Sequence, residues 1–227
     1  MARRGTANSL SEEVYRKIRD SIISGSVQPG DRLQPALLSE QVLASTTVVR
    51  EALAVLAGER LVTFRPGQGY FVPEIRRDLI RDLTSVRVHT ESLALSWAME
   101  RGGLEWESEL IAAHHRLTRT PRRTEDDHLN PEWSHFHRAF HASFINGCGV
   151  PVLIEVCDQL SAATEIYRAW STNFVTTESR DVEAEHAGIL ESVLAGNRAE
   201  ALERLASHYE STTRLIIENW PSPSAVE

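Results

Sequence analysis

Apolar residues recur at helical spacing near the start of the chain. Val14, Ile18 and Ile22 fall on one face, and Ser9 with Glu12 has the spacing of a capping box. The pattern predicts a helix from about Ser9 to Ser24, ended at Gly25 and followed by a turn at Pro29-Gly30. Leu33 then reads as a short strand-like entry into a brief helix that opens near Pro35, a residue suited to the first helical turn. After Ala44 a Ser-Thr-Thr cluster restarts the pattern, with Ser45 as N-cap and Val49, Leu53 and Leu56 as the buried stripe. Two short helices joined by a tight turn form a helix-turn-helix. Two β-prone runs follow, Leu61 to Arg65 and Tyr70 to Val72, around Pro66-Gly67-Gln68-Gly69: a hairpin in the position of a wing.

Beyond Ile75 the period changes to long helices, predicted at about 78–101, 106–119, 131–145, 150–170, 180–195 and 198–220. The polar stretch Thr118 to Asn130 reads as a surface loop, and the proline-containing tail after Trp220 as disordered. The predicted fold class is mostly α: a winged helix-turn-helix with a small β-hairpin over 1–73, an all-helical bundle of about six helices over 74–220, and a tail over 221–227.

Charge follows the same division. The chain of 227 residues has net charge -8, yet residues 1–73 hold nine Lys and Arg against seven Asp and Glu, so the acidic excess lies in the remainder. A locally basic first domain suits phosphate binding whatever the distant surface carries. No apolar run of membrane length and no signal peptide is read, and the two cysteines, Cys148 and Cys157, make neither a disulfide framework nor a zinc ribbon. A cytoplasmic protein with no membrane partner is expected. On the helix-turn-helix pattern, Thr46, Thr47 and Arg50 sit at the exposed start of the recognition helix, where base edges of double-stranded operator DNA are read. Arg50 is the leading candidate for a base contact, with an ion pair to Glu51 or Glu40 as its alternative. Ser45 and Thr47 suit phosphate contacts, and Gln68 and Gly69 lie at the wing tip. One winged domain reads one half-site, so a homodimer is expected.

Pro29-Gly30-Asp31-Arg32-Leu33, Val49-Arg50-Glu51-Ala52-Leu53, Leu61-Val62 and Gly69-Tyr70-Phe71-Val72 resemble the GntR family of transcription regulators in order and spacing. The resemblance implies an effector-responsive regulator, not an enzyme, and commonly a repressor. Three positions depart from the family pattern: Leu43 and Arg60 stand where glycines are usual, and Thr46 where arginine is usual. The two missing glycines predict non-glycine residues in the left-handed region, at roughly 1 kcal/mol each.

Nine histidines are about twice an ordinary share. His137 and His141, four residues apart, project from one helical face, while His186 and His208 belong to two later helices. Four imidazoles from three helices can close around one ion in a bundle core. On the residues alone, surface or satisfied core histidines are the stronger reading. The second domain, however, is similar to the FCD-type sensors of the FadR-like branch, through Arg87-Val88-His89-Thr90-Glu91, Trp133 to His141, Cys148-Gly149, Glu185-His186 and Ala201 to His208. That resemblance implies a divalent metal held by His137, His141, His186 and His208, with His137 in the usual aspartate position. An all-imidazole set suits zinc or nickel better than magnesium or calcium. It also implies a small carboxylic acid effector beside the metal, gripped by Arg87, with Tyr167 and Arg168 on a neighbouring helix. For Arg87 an ion pair with Glu91 fits the spacing equally well. Rival readings are a metal-dependent enzyme, a purely structural metal and a larger acyl-coenzyme A effector. Four histidine ligands leave a tetrahedral ion no open position, and no paired general base lies on the same faces, which weighs against the enzyme.

Overall fold

A computed structural model of the chain describes residues 3–126, 129–171 and 180–220, with side chains from Leu10 onward. The tail expected over 221–227 lies outside the described residues. The chain divides into two compact units between Arg76 and Arg77.

The first unit comprises α1 (Arg3–Ile23), β1 (Arg32–Leu33), α2 (Pro35–Val42), α3 (Thr46–Gly58), β2 (Thr63–Arg65) and β3 (Gly69–Phe71). The strands form an antiparallel sheet in the order β1-β3-β2. Val14, Ile18 and Ile22 of α1 are buried, as are Val49, Leu53 and Leu56 of α3, and these two helices pack together. Ser9 is not a cap, because α1 begins earlier, at Arg3. Leu61 and Val62 are buried without joining a strand: both their N–H groups donate to the Leu56 carbonyl, which turns the chain off α3 and delays the wing to Thr63.

Both expected left-handed residues are present. Leu43, closing α2, has φ 55°, and Arg60, just beyond α3, has φ 62°. Leu43 is 88% exposed, so no packing offsets its strain. Ser45 caps α3 as expected, its Oγ accepting from the Val48 N–H at 3.3 Å.

Among the described residues the second unit has six helices: α4 (Arg77–Arg101), α5 (Gly103–Thr118), α6 (Pro131–Asn146), α7 (Pro151–Ser171), α8 (Val182–Leu194) and α9 (Arg198–Glu218). Side-chain caps start three of them, at Asn130, Asp181 and Asn197. α4 packs on α7 and α9, α5 on α6 and α8, and α8 on α9. Phe140 and Phe144 meet edge to face at 4.7 Å in the core. Trp106 seals α5 against α6, donating from Nε1 to the Ser143 carbonyl at 2.7 Å; a Cβ on Gly147 would come within 2.8 Å of its ring. This packing holds one face of α6 against residues from α8 and α9, where the histidines lie.

Candidate metal centre and adjoining cavity

His137 and His141 leave the buried face of α6 one turn apart, His186 comes from the first turns of α8, and His208 from the middle of α9. All four are buried, and one ring nitrogen from each lies within 4.8 Å of the others. Ring centres are 4.5 Å apart for His137 and His141 and 4.7 Å for His186 and His208. Trp133, one turn before His137, stacks on its ring at 4.7 Å.

Outer hydrogen bonds fix two of the imidazoles. Tyr209 donates its hydroxyl proton to Glu91, so its oxygen is left to accept from His141 Nδ1, 3.0 Å away. That sets His141 as the Nδ1–H tautomer, with the Nε2 lone pair facing the cluster. His208 Nδ1 lies 2.7 Å from Glu185 Oε2. Arg180 Nη2 is 3.2 Å from the same nitrogen, but arginine and Nδ1–H cannot both donate, and the shorter carboxylate contact decides for Nδ1–H. His208 Nε2 is then the free lone pair. Burial favours a neutral Glu185, yet its hydrogen bonds with His208 and Arg180 outweigh this and pull the carboxyl down to about 2.

Burial, with the neighbouring imidazoles and arginines adding to it, pushes His137, His141 and His186 well below the usual histidine range. Burial also lowers His208, against the pull of Glu185. The imidazoles are therefore neutral at pH 7, the state that binds metals. His137 Nδ1, His141 Nε2 and His186 Nε2 are buried atoms with no hydrogen-bond partner. Three such atoms converging on one point are costly unless something accepts their lone pairs. This donor set fits a divalent transition metal.

Beside the cluster lies a cavity lined by Arg87, Trp133, His137, His208 and Tyr209, among others. Arg87 satisfies both readings made of it. Its Nε donates to Glu91 at 2.6 Å and its Nη1 to Thr164 at 2.8 Å, while the group still borders the cavity. Burial opposes its charge, but Glu91 and the Tyr209 side chain outweigh that and hold it protonated; the guanidinium lies 4.1 Å from the Tyr209 ring centre. Tyr167 is buried on α7 but does not line this cavity; the next residue, Arg168, does. The segment expected to be a surface loop also contributes, since Arg122 and Arg123 turn into the lining. Tyr209, Arg180 and this arginine pair had no distinguishing spacing in the sequence.

In the first unit Ser45, Thr46, Thr47 and Arg50 are all exposed at the start of α3, and Arg50 makes no ion pair among the described residues. Gln68 is exposed in the β2–β3 turn, next to Gly69 at φ 104°.

A winged helix-turn-helix followed by a helical ligand-binding bundle defines a DNA-binding, effector-responsive transcription regulator. The chain belongs to the GntR family of bacterial regulatory proteins, which matches residues 10–72, in the branch that carries an FCD domain, which matches residues 82–211. It is 31% identical over 197 residues to the HTH-type transcriptional repressor GlaR of Escherichia coli, covering 86% of this chain and 90% of that one. It is 30% identical over 210 residues to the HTH-type transcriptional regulator BphR of Paraburkholderia xenovorans, covering 92% and 85%. Among solved structures it superposes on E. coli McbR with TM-score 0.76 at 21% identity, covering 93% of this chain and 99% of that one. A GntR regulator from Rhodococcus sp. RHA1 gives TM-score 0.73 at 20% identity, covering 94% and 100%. Regulators, not enzymes, make up these relatives. No helix among the described residues is long and apolar enough to cross a membrane.

Proposed function

We propose that this regulator acts in the cytoplasm as a homodimeric repressor, released from operator DNA when a small carboxylate binds beside a divalent ion held by His137, His141, His186 and His208. The observation that carries this reading is the convergence of buried, unpartnered imidazole lone pairs at the edge of an arginine-lined cavity. Zinc and nickel suit the all-imidazole set. An ion that expands its shell beyond the four imidazoles, as zinc and nickel can, would supply a Lewis-acidic anchor for a carboxylate oxygen. The chain's own residues do the rest. Trp133 covers the cluster, Tyr209 and Glu185 hold two rings in the required tautomers, and Arg87 presents a fixed positive charge. Arg50, Thr46 and Thr47, with Gln68 and Gly69 of the wing, contact the operator, and Ser45 positions a phosphate. The relative named as a repressor, GlaR, supports the sign of regulation. An exposed stripe at seven-residue spacing on α4, Leu79, Val86 and Leu93, supports a second copy of the chain as its cover.

An effector moves the DNA-bound equilibrium only as far as its affinity differs between the two states, typically about 1–3 kcal/mol. Metal analysis of wild type, His141→Ala and Arg87→Ala, with operator titrations with and without carboxylates, tests the scheme. His141→Ala is expected to lose metal and effector response while retaining operator binding; Arg87→Ala is expected to keep the metal and lose the acid. A normal effector response from metal-free His141→Ala protein would show the histidines to be structural.

A further inference from the structure

Leu43 is the residue of the first unit that the fold least explains. It closes α2 in the left-handed region, and of the large apolar side chains among the described residues none is more exposed. The backbone alone holds it there, since the N–H groups of Leu43 and Ala44 both donate to the Ser39 carbonyl. A leucine so placed adds strain and apolar surface in water and gains almost no packing. Strained positions that the fold does not need collect at functional sites.

Its place in the chain says what it can meet. Two residues on, Ser45 caps α3, and Thr46 and Thr47 follow, both exposed in the first turn. That end of a recognition helix enters the major groove. The base-pair edges there carry hydrogen-bond donors and acceptors, with the thymine C5-methyl as the apolar group. Leucine can neither donate nor accept, so on a base edge it gains from that methyl. Thr46 brings a methyl of its own beside its hydroxyl.

Building on the placing of α3 in the operator groove above, we infer that Leu43 is a specificity-determining residue that, together with the Thr46 methyl, reads a thymine methyl in each operator half-site. Arg50 reads its base by hydrogen bonds, Leu43 by burial. The strain at Leu43 is offset in the complex and not in the free protein, so fold stability and operator choice pull on this position in opposite directions.

Selection from a random-sequence duplex library by the metal-loaded full chain, with Leu43→Gly and Thr46→Ser alongside, tests this. Wild type is expected to enrich a thymine in each half-site. Exchange of that thymine for deoxyuridine removes the methyl and keeps every hydrogen-bonding group; it is expected to weaken binding roughly fourfold, the effect of burying one methyl group. Leu43→Gly is expected to melt above wild type, to bind the thymine duplex more weakly and to be indifferent to the exchange. Thr46→Ser is expected to respond to it less than wild type does. A Leu43→Gly protein that melts higher yet keeps the thymine preference overturns the inference, as does a wild type that binds the two duplexes alike. An equal loss by Leu43→Gly on every sequence makes Leu43 a backbone contact and overturns it too. Guanine enrichment that Arg50→Ala abolishes would then leave the reading of α3 standing, whereas a library from which no sequence is enriched overturns both.

Discussion

Tyr209→Phe deletes one buried hydroxyl and keeps the ring over which the Arg87 guanidinium lies at 4.1 Å. That hydroxyl stands between Glu91, to which it donates, and His141 Nδ1, from which it accepts at 3.0 Å. Without it two buried groups lose a partner. Glu91 keeps Arg87 at 2.6 Å, whereas His141 Nδ1 has no other acceptor for its proton among the described residues. His141 Nδ1 left unmet costs about 1–3 kcal/mol and the hydrogen bond that Glu91 loses about 1 kcal/mol more, so the metal-free protein should lose about 2–4 kcal/mol in all. The effect on metal is separate. An imidazole without its outer hydrogen bond can turn over and present the wrong nitrogen, and losses of this kind weaken metal binding roughly 10–100-fold. Chelator competition for zinc at pH 7, alongside thermal unfolding of the metal-free proteins, reads both quantities. Ser192→Ala is the control: it deletes a buried hydroxyl bonded to the Gly188 carbonyl at 2.8 Å, on the helix that carries His186. It should cost stability and leave zinc affinity unchanged. Unchanged zinc affinity in Tyr209→Phe, or an equal loss in Ser192→Ala, would refute the tautomer argument.

Arg50→Ala should weaken specific operator binding by roughly 1–3 kcal/mol in gel-shift titrations with no change in melting temperature; equal losses on specific and nonspecific DNA would reduce Arg50 to a phosphate contact. Leu43→Gly should stabilise the chain by about 0.5–1 kcal/mol, the left-handed strain relieved less the greater freedom of glycine when unfolded, and a lower melting temperature would count against it. The pH dependence of the metal-free chain follows from the buried histidines His137, His141, His186 and His208, whose folded pKa values lie below the ordinary value of 6.5. Below that value the unfolded state binds protons that the folded state does not, so stability is complete above about pH 6.5 and declines as pH falls through it. Glu185, held at about 2, adds a further decline below the ordinary carboxylate value of 4.5. A melting temperature that stays level on acidification to about pH 5 would contradict the burial of neutral imidazoles.

The helices were legible because burial leaves a period in the sequence, as in Val49, Leu53 and Leu56, and because caps such as Ser45 are local. Leu43 and Arg60 were legible only through the family resemblance, whose pattern has glycines at both positions, the residue that takes a left-handed backbone without strain. The four histidines could be picked from their places on helical faces, though nothing local required that α6, α8 and α9 bring them together. Tyr209 was not legible, since its role depends on Glu91, 118 residues away, and on His141. Arg122 and Arg123 carry the polar signature of an exposed loop, and only the packing of the bundle turns them inward. The start of α1 was misplaced because a capping-box spacing at Ser9 also occurs inside a continuous helix.

The histidines span about half of the second unit in sequence, from His137 on α6 to His208 on α9. An ion shared between them cross-links the chain as a disulfide does. Closing a loop of about 70 residues removes enough freedom from the unfolded chain to contribute roughly 4 kcal/mol. A chelator would then be a mild denaturant of this protein. On the proposed reading, metal starvation in the cell would shorten the regulator's lifetime against proteases as well as blunt its response, so control of its operator would fade through turnover even where no effector is present.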